Sequence, residues 1–490
     1  MKNTRFFSFI SAYGVKKHLK KRKKRIKNPT LLATTCLFAA CSLVQYQPLE
    51  PIRSIDRNSG YRLSQQIART GDDDIVFILM FSGGGSRAAA FGYGVLEALG
   101  KQPVKHQGQE RPLLDSVDLV YGVSGGSILA VYYALHGKDT IPQFETRFLK
   151  QDFQRQLGRQ IFSLANMPRL ASPEFGRGDL LQEQLESALF GRATFADLIQ
   201  RRKGPFAVIS ATDMTLGARI DFTQEYFDIL CLDLGKLRLA RAVAASSAVP
   251  LVFSPLTLNN HGGQCRYTLP APLQQAIAHE QDTLQSQTRR ELTTRLQQYE
   301  NSAERPYIHL LDGGLTDNLG LRSLLDVAEI YPENLLQTQM RRQNVRKIVI
   351  LSVNAQNRLA SDIDKSAAIP GLMDQINAII NIPIDQYSQE SLRRMRAFAD
   401  HWNANERTLD MYFISLSLFD LPERTERDYL LNIPTTFFLP AQDVNRLKSA
   451  AITLLAQSGE YQRVLRDLAA QPARVPLFIL HSEPQAKNTN

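Results

Sequence analysis

The apolar positions of this chain gather in short continuous runs rather than in strict alternation with polar residues. Runs near 75–81, 117–122, 206–211, 307–312 and 346–354 read as strands buried on both faces, and most are followed by segments with helical spacing, as Ala88 to Leu99 follows the first. Alternating strands and helices of this kind predict an α/β fold with a largely parallel central sheet. The 490 residues, of which 43% are hydrophobic, allow one large domain with an extension and a sizeable core. No internal repeat is evident.

Two stretches interrupt the alternation. Leu273 to Glu300 is rich in Gln and charge, with sparse apolar residues at helical spacing (Leu273, Ile277, Leu284, Leu292, Leu296), and reads as a solvated helix over the rim of a site, with a lid as the functional alternative. Leu372, Met373, Ile376, Ile379 and Ile380 form a helical apolar stripe ending at Pro383. Core packing is the ordinary reading of such a stripe, and contact with a lipid interface is the alternative.

The chemistry sits at the ends of the runs. After 117–122 comes Gly122-Val123-Ser124-Gly125-Gly126, a G-x-S-x-G pattern in which small neighbours let a strand turn sharply into a helix and lift the Ser124 hydroxyl clear of the sheet. After 75–81 comes Ser82-Gly83-Gly84-Gly85-Ser86-Arg87. Three glycines at a helix start let backbone amides converge on one point, which suits either a phosphate or the oxyanion of a tetrahedral intermediate. A nucleotide loop is disfavoured, because neither G-x-x-x-x-G-K-[ST] nor the dinucleotide glycine spacing is present. The run 307–312 ends in Asp312-Gly313-Gly314, either a plain Asx-turn or a carboxylate at the strand edge where α/β sites are built.

A serine hydroxyl needs a base within hydrogen-bond reach, and burial on an apolar strand would raise the Asp312 pKa toward a useful value. A Ser-His-Asp triad is the alternative. Of the eight histidines only His309 and His401 lie near candidate elements. His309 is three residues before Asp312 on a strand and so points to the opposite face, and His401 ends a polar helix beside Trp402. Arg87 either holds the glycine loop or meets a substrate phosphate.

In order and in kind these segments resemble the patatin-like phospholipase family: Gly83-Gly84-Gly85-Ser86-Arg87 its oxyanion loop, Gly122 to Gly126 its nucleophile elbow, and Asp312-Gly313-Gly314 its base motif. Ala244-Ala245-Ser246-Ser247-Ala248-Val249-Pro250 is similar to the small-residue stretch between elbow and base, and Ile433 to Pro440 to the C-terminal extension of bacterial members. The departures are Ala88, where plant members have glycine, and Asn318-Leu319 in place of Asn-Pro. The resemblance implies a three-layer α/β/α sandwich and a Ser–Asp dyad of Ser124 and Asp312. It also implies an oxyanion hole at Gly83, Gly84, Gly85 and Arg87, and a phospholipid or lysophospholipid substrate. The expected division is a signal segment 1–40, a linker 41–73, a catalytic domain 74–355 with insertion 273–305, and a C-terminal extension 356–490 packing on it.

The net charge of +10 changes the picture little, because residues 1–40 hold eleven Lys/Arg and no Asp/Glu; removing these eleven from 58 leaves 47 basic against 48 acidic residues. No nucleic-acid footprint survives. The basic run precedes an apolar stretch, Leu31 to Ala40, whose length suits a signal h-region and falls short of a bilayer span. Leu37-Phe38-Ala39-Ala40-Cys41 resembles a bacterial lipobox with Phe38 in the usual leucine position. It implies lipidation of Cys41 and, with Ser42 following, the outer membrane or periplasmic face of a Gram-negative cell; a basic tail at the cytoplasmic membrane surface is the alternative. Cys231 and Cys265 either pair or are two separately buried thiols. No Cys/His spacing suggests a metal, and the chemistry needs no cofactor. The chain is thus expected to be a membrane-tethered serine acyl hydrolase, with a non-catalytic lipid- or partner-binding lipoprotein as the reading from another class.

Overall fold

The computed structural model describes residues 44–67, 74–106, 109–271, 273–274, 284–330, 333–358, 361–406 and 408–468. The signal segment and Cys41 lie outside the described residues, as does Ile277. In chain order the strands are β1 (Ile75–Phe81), β2 (Pro103–His106), β3 (Gln109–Pro112), β4 (Val117–Gly122), β5 (Phe206–Asp213), β6 (Ala218–Asp221), β7 (Leu256–Asn259), β8 (Tyr307–Asp312), β9 (Lys347–Asn354) and β10 (Asp410–Ser417). All five strands expected from the apolar runs form. β2 and β3 make a separate hairpin, and the main sheet runs β10-β9-β1-β4-β5-β8-β7 with β6 on β5.

From β10 to β5 every pairing is parallel. Every residue of β1 and of β5 is buried, odd and even positions alike, so helices cover both faces of the sheet. The fold is therefore a mixed, largely parallel α/β sheet between helical layers. Phe81 pairs with Gly122, so β1 and β4 end level and their following loops emerge side by side. Those loops open helices α1 (Gly85–Lys101) and α2 (Gly125–His136).

The far half of the sheet departs from the simple parallel expectation. β8 is antiparallel to β5, with Asp312 opposite Ala211, while Gly122 of β4 is opposite Ile209. β5 is long enough to pair with β4 along its first half and with β8 along its second. Asp312 thus reaches the tip of β4 on a strand travelling the other way, not at the carboxyl edge of a parallel strand.

The expected divisions of the chain need correction. Residues 44–67 are not a free linker: Tyr61 is buried and stacks on Phe206 at 4.0 Å between ring centroids, and Arg62 forms a buried ion pair with Asp228 at 2.7 Å. Nor does the sheet end at 355. β10 is its edge strand, paired with β9 along its full length, and helix α6 (Ala441–Gln457) packs along α1 with Lys448 bridging Glu97 and Glu145. Residues 356–468 complete the central layer rather than decorate it. The helix Leu284–Glu300, α4, is tied down rather than solvated: Leu296 and Tyr299 are buried, and the Tyr299 hydroxyl donates to Asp213 at the end of β5 (2.9 Å).

The apolar stripe is the opposite case. It lies on helix α5 (Leu372–Asn405), which continues through Pro383. Its far half packs against β10 through Met395, Ala399 and Trp402, whose indole N–H donates to the Leu409 carbonyl. In the near half, however, Leu372, Met373 and Ile379 are 72%, 60% and 72% exposed. The stripe is not core. Cys231 and Cys265 form a disulfide with a Cα–Cα distance of 5.5 Å, which settles the open choice in favour of pairing. Among the described residues no helix is long and apolar enough to cross a membrane.

Because β10 hydrogen-bonds β9 and α6 covers α1, a chain ended at residue 355 is expected to yield no soluble folded protein. A cooperative thermal transition in that shortened chain would contradict the placement of 356–468 within the fold.

Candidate active site

Ser124 lies with Val123 between β4 and α2 and has φ 50° and ψ −124°. A side chain in that region costs about 1–3 kcal/mol and persists only where neighbours over-determine it. Here they do. The Val123 amide donates to the Phe81 carbonyl (3.1 Å), and the Ser124 amide donates to Ser246 Oγ (2.9 Å), whose own proton goes to the Ser210 carbonyl (2.7 Å). Ser127 Oγ donates to the Ser124 carbonyl (2.6 Å). Ser246 ends helix α3 (Leu239–Ser246), so the small-residue stretch matched on sequence has a mechanical role that the sequence did not disclose. Its next residues hold the acid: the Asp312 amide donates to the Ala248 carbonyl and the Gly313 amide to the Ser246 carbonyl, at 3.0 and 3.1 Å.

The glycine loop faces this turn. Gly85 has φ 60°, and a Cβ there would run into the Thr436 carbonyl. A Cβ on Gly125 would strike the Gly85 backbone, so the two turns touch only because both lack side chains. Three of the loop's amides are already engaged: Ser82 donates to the Val353 carbonyl (3.2 Å), Gly83 to the Asn318 carbonyl (3.0 Å) and Ser86 to the Thr436 carbonyl (2.7 Å). Among the described residues the amides of Gly84, Gly85 and Gly125 have no acceptor. These three N–H groups lie at the starts of α1 and α2, where helix dipoles add positive potential.

Asp312 is 7% exposed. Its Oδ1 accepts the Gly314 amide (2.8 Å), and Thr212 Oγ1 donates to its main-chain carbonyl (2.8 Å). Its Oδ2 is buried with no formed hydrogen bond, although the Ser124 hydroxyl lies near enough to favour the ionised carboxylate. Burial pushes the Asp312 pKa up to about 6, against the Gly314 amide and the Ser124 hydroxyl, which pull it down. The pair is adjacent but not closed.

Ser124, Gly84, Gly85 and Asp312 therefore converge. Two members of the expected oxyanion set do not join them as donors. The Gly83 amide is consumed by Asn318, whose backbone links the glycine loop to the turn after Asp312. Arg87 is 1% exposed, and its guanidinium donates to the carbonyls of Ala355 (2.8 Å) and Ile433 (2.5 Å) and to the side chains of Asn357 and Thr435 (3.2 and 3.1 Å). Burial lowers its pKa to about 10, partly offset by the Asp385 carboxylate, so it remains charged at neutral pH. Gly125, Ser246, Asn318 and Thr436 were not expected as site residues, although each lies in a stretch whose likeness to the family was read from the sequence. His309 alternates with Asp312 onto the other face and meets Thr257, and His401 is exposed beside Asn405, so neither histidine touches the pair. Among the described residues no group of His, Cys, Asp and Glu could hold a metal.

The family model for patatin-like phospholipases matches residues 79–325, half of the chain. The chain belongs to the patatin-like phospholipase family. A cGAMP-activated phospholipase of Escherichia coli (strain TW11681) is 29% identical over 185 residues, which are 38% of this patatin-like chain and 49% of that protein. The chain thus spans about half the length of this relative. Among solved structures, human GIVD cytosolic phospholipase A2 aligns over 86% of this chain and 68% of its own, with 12% identity and a TM-score of 0.44. VipD from Legionella pneumophila aligns over 89% and 72%, with 12% identity and a TM-score of 0.27.

With its pKa raised to about 6, Asp312 is an ionised carboxylate, able to serve as a proton acceptor, only above that pH. Covalent labelling of Ser124 by a fluorophosphonate should accordingly accelerate as pH rises through about 6 and level off above 7. A rate flat from pH 5 to 8 would remove Asp312 as the controlling acceptor.

Proposed function

We propose that this chain is a lipid acyl hydrolase of phospholipase A or lysophospholipase type, working through a Ser–Asp dyad and an acyl-enzyme. The observation that carries the reading is the buried Asp312 carboxylate, whose Oδ2 has no formed hydrogen bond while the Ser124 hydroxyl lies beside it. As Ser124 Oγ attacks the ester carbonyl carbon, its proton passes to Asp312 Oδ2. The carbonyl oxygen becomes an oxyanion facing the Gly84, Gly85 and Gly125 amides, each such donor being worth about 3 kcal/mol of transition-state stabilisation. Collapse expels the alcohol portion of the lipid, which takes the proton back from Asp312. Water then attacks the acyl-enzyme with its proton passing to Asp312, the bond from the acyl carbon to Ser124 Oγ breaks, Oγ takes that proton back, and fatty acid leaves.

A lipid substrate is supported by family membership and by the exposed stripe Leu372, Met373 and Ile379. That stripe lies on the helix against which the turn after Asp312, Gly314–Asp317, packs. An exposed apolar helix face is suited to lie in a membrane surface from which single lipids are drawn. For address, we propose a lipoprotein held by Cys41 at the periplasmic side of an outer membrane. The Cys231–Cys265 bridge supports an oxidising compartment over the cytoplasmic membrane surface. A non-catalytic lipid-binding lipoprotein, the rival reading, has no use for a strained serine beside a desolvated carboxylate.

Purified protein given mixed phospholipid vesicles should release labelled fatty acid, and Ser124→Ala or Asp312→Asn should each reduce release about a thousandfold or more while leaving the protein folded. His309→Ala and His401→Ala should stay near wild type. Full activity in either dyad variant would sink this reading, and a histidine variant as dead as Ser124→Ala would favour a triad.

For the address, cells fed labelled palmitate should yield a labelled, membrane-bound protein that resists high-salt extraction, with Cys41→Ala losing the label. Salt-extractable, unlabelled protein would instead point to retention by the basic segment, since that attraction is screened by salt.

A further inference from the structure

A loop of three glycines has no conformational preference of its own. Nothing in Gly83-Gly84-Gly85 decides which amides face the candidate oxyanion position; the direction must be imposed from outside. The structure supplies an outside constraint almost 350 residues along the chain, in Ile433–Phe437, a segment that the chemistry proposed above does not use. The Thr436 carbonyl takes the Ser86 amide at 2.7 Å and fills the space where a Gly85 side chain would stand. Arg87, on the first turn of α1, ties the same segment from its other side through the Ile433 carbonyl and Thr435 Oγ1, and reaches the end of β9 through the Ala355 carbonyl and the following loop through Asn357. The segment is itself seated. Phe437 packs between Phe153 and Phe253, each with its ring centroid 5.8 Å away.

We propose that Arg87 and the segment Ile433–Phe437 are the positioning device of the oxyanion loop. Thr436 withdraws the Ser86 amide from the site, and the Arg87 fork fixes the loop's height against β9, so that the Gly84 and Gly85 amides are the two left pointing at the reacting oxygen. Arg87 is then a positioning residue, not a phosphate ligand. Its planar fork is required because one ammonium cannot span two carbonyls and two side chains on separate segments. The inference rests on the oxyanion reading of the loop.

Hydrolysis of a p-nitrophenyl acyl ester, scored per folded molecule, tests it. Arg87→Lys should lower kcat about 100-fold, near the loss expected for one oxyanion donor, with KM within twofold of wild type. Thr435→Val, which removes one acceptor of Arg87, and Phe437→Ala, both outside the glycines and the dyad, should lower kcat about five- to tenfold at unchanged KM, and Thr435→Ser, which keeps the hydroxyl, should restore it. Inhibition by a boronic acid that mimics the tetrahedral intermediate should weaken in the same proportion as kcat.

A merely structural role would lower Tm and yield while leaving kcat and inhibitor affinity of the folded molecules untouched; that result overturns the proposal. So does wild-type kcat in both Thr435→Val and Phe437→Ala, even where Arg87→Lys does not fold. If Ser124→Ala is inactive while these variants are normal, the positioning device alone fails. If Ser124→Ala is fully active, the oxyanion reading beneath it fails first.

Discussion

Backbone touches backbone where the turn after β1 meets the turn after β4, and the rest of the site is spaced by that contact. Gly125 rests on the Gly85 main chain with no room for a methyl group at either place. The contact is possible because Phe81 and Gly122 are paired, with β1 buried along its whole length and β4 at every residue but Asp118, so the two loops start from one rigid floor. From it follow the common origin of α1 and α2, the convergence of three unengaged amides, and the outward turn of Ser124. A side chain in either turn would separate the candidate nucleophile from its candidate oxyanion donors before it affected either alone.

The acid reaches this floor from the other direction, and its chemistry is set by what surrounds it. Antiparallel β8 carries Asp312 into the sheet, where desolvation is the dominant influence on its carboxyl group. An acceptor with a pKa near 6 is a better base at neutral pH than an exposed carboxylate near 3.9, and the same burial that improves it leaves Oδ2 without a formed partner. Stability and reactivity therefore pull against each other at one oxygen atom. The fold holds the arrangement by fastening everything around that atom: the main chain of Asp312 to Ala248, of Gly313 to Ser246, and Oδ1 to Gly314.

What could be read in the sequence was what is encoded locally. A strand buried on both faces announces itself as an apolar run, and all five such runs formed strands close to their expected limits. Turns that need glycine announce themselves as well, which is why the elbow and the glycine loop were found. What could not be read depends on partners distant in sequence. The reversed direction of β8 leaves no mark on its residues. Whether Arg87 holds the loop or meets a phosphate stayed open in the sequence because its four acceptors, from Ala355 to Thr435, lie far along the chain. Ser246 sat in a motif whose purpose, holding the Ser124 amide, appears only once β5 and α3 are assembled. The stripe on α5 has the periodicity of a core helix and yet stays exposed, since periodicity reports that an apolar face exists and not what covers it.

The strain collected in this corner bears on what the molecule is for. Ser124 holds a left-handed conformation costing about 1–3 kcal/mol, and a buried acceptor without a partner costs about as much again. Against a total stability of about 5–15 kcal/mol, this is a large fraction to concentrate in a few residues. A cleft that only held a ligand would lose nothing by relaxing Ser124 to an ordinary turn and giving Asp312 a donor. Those relaxations are blocked from four sides, by β1, by α3, by the turn at Asn318 and by the segment at Thr436. The strain is thus a property of the whole fold, including the C-terminal strand and helices that sequence alone would set aside as an appendage. It is the kind of strain that serves a reaction and has no other evident use.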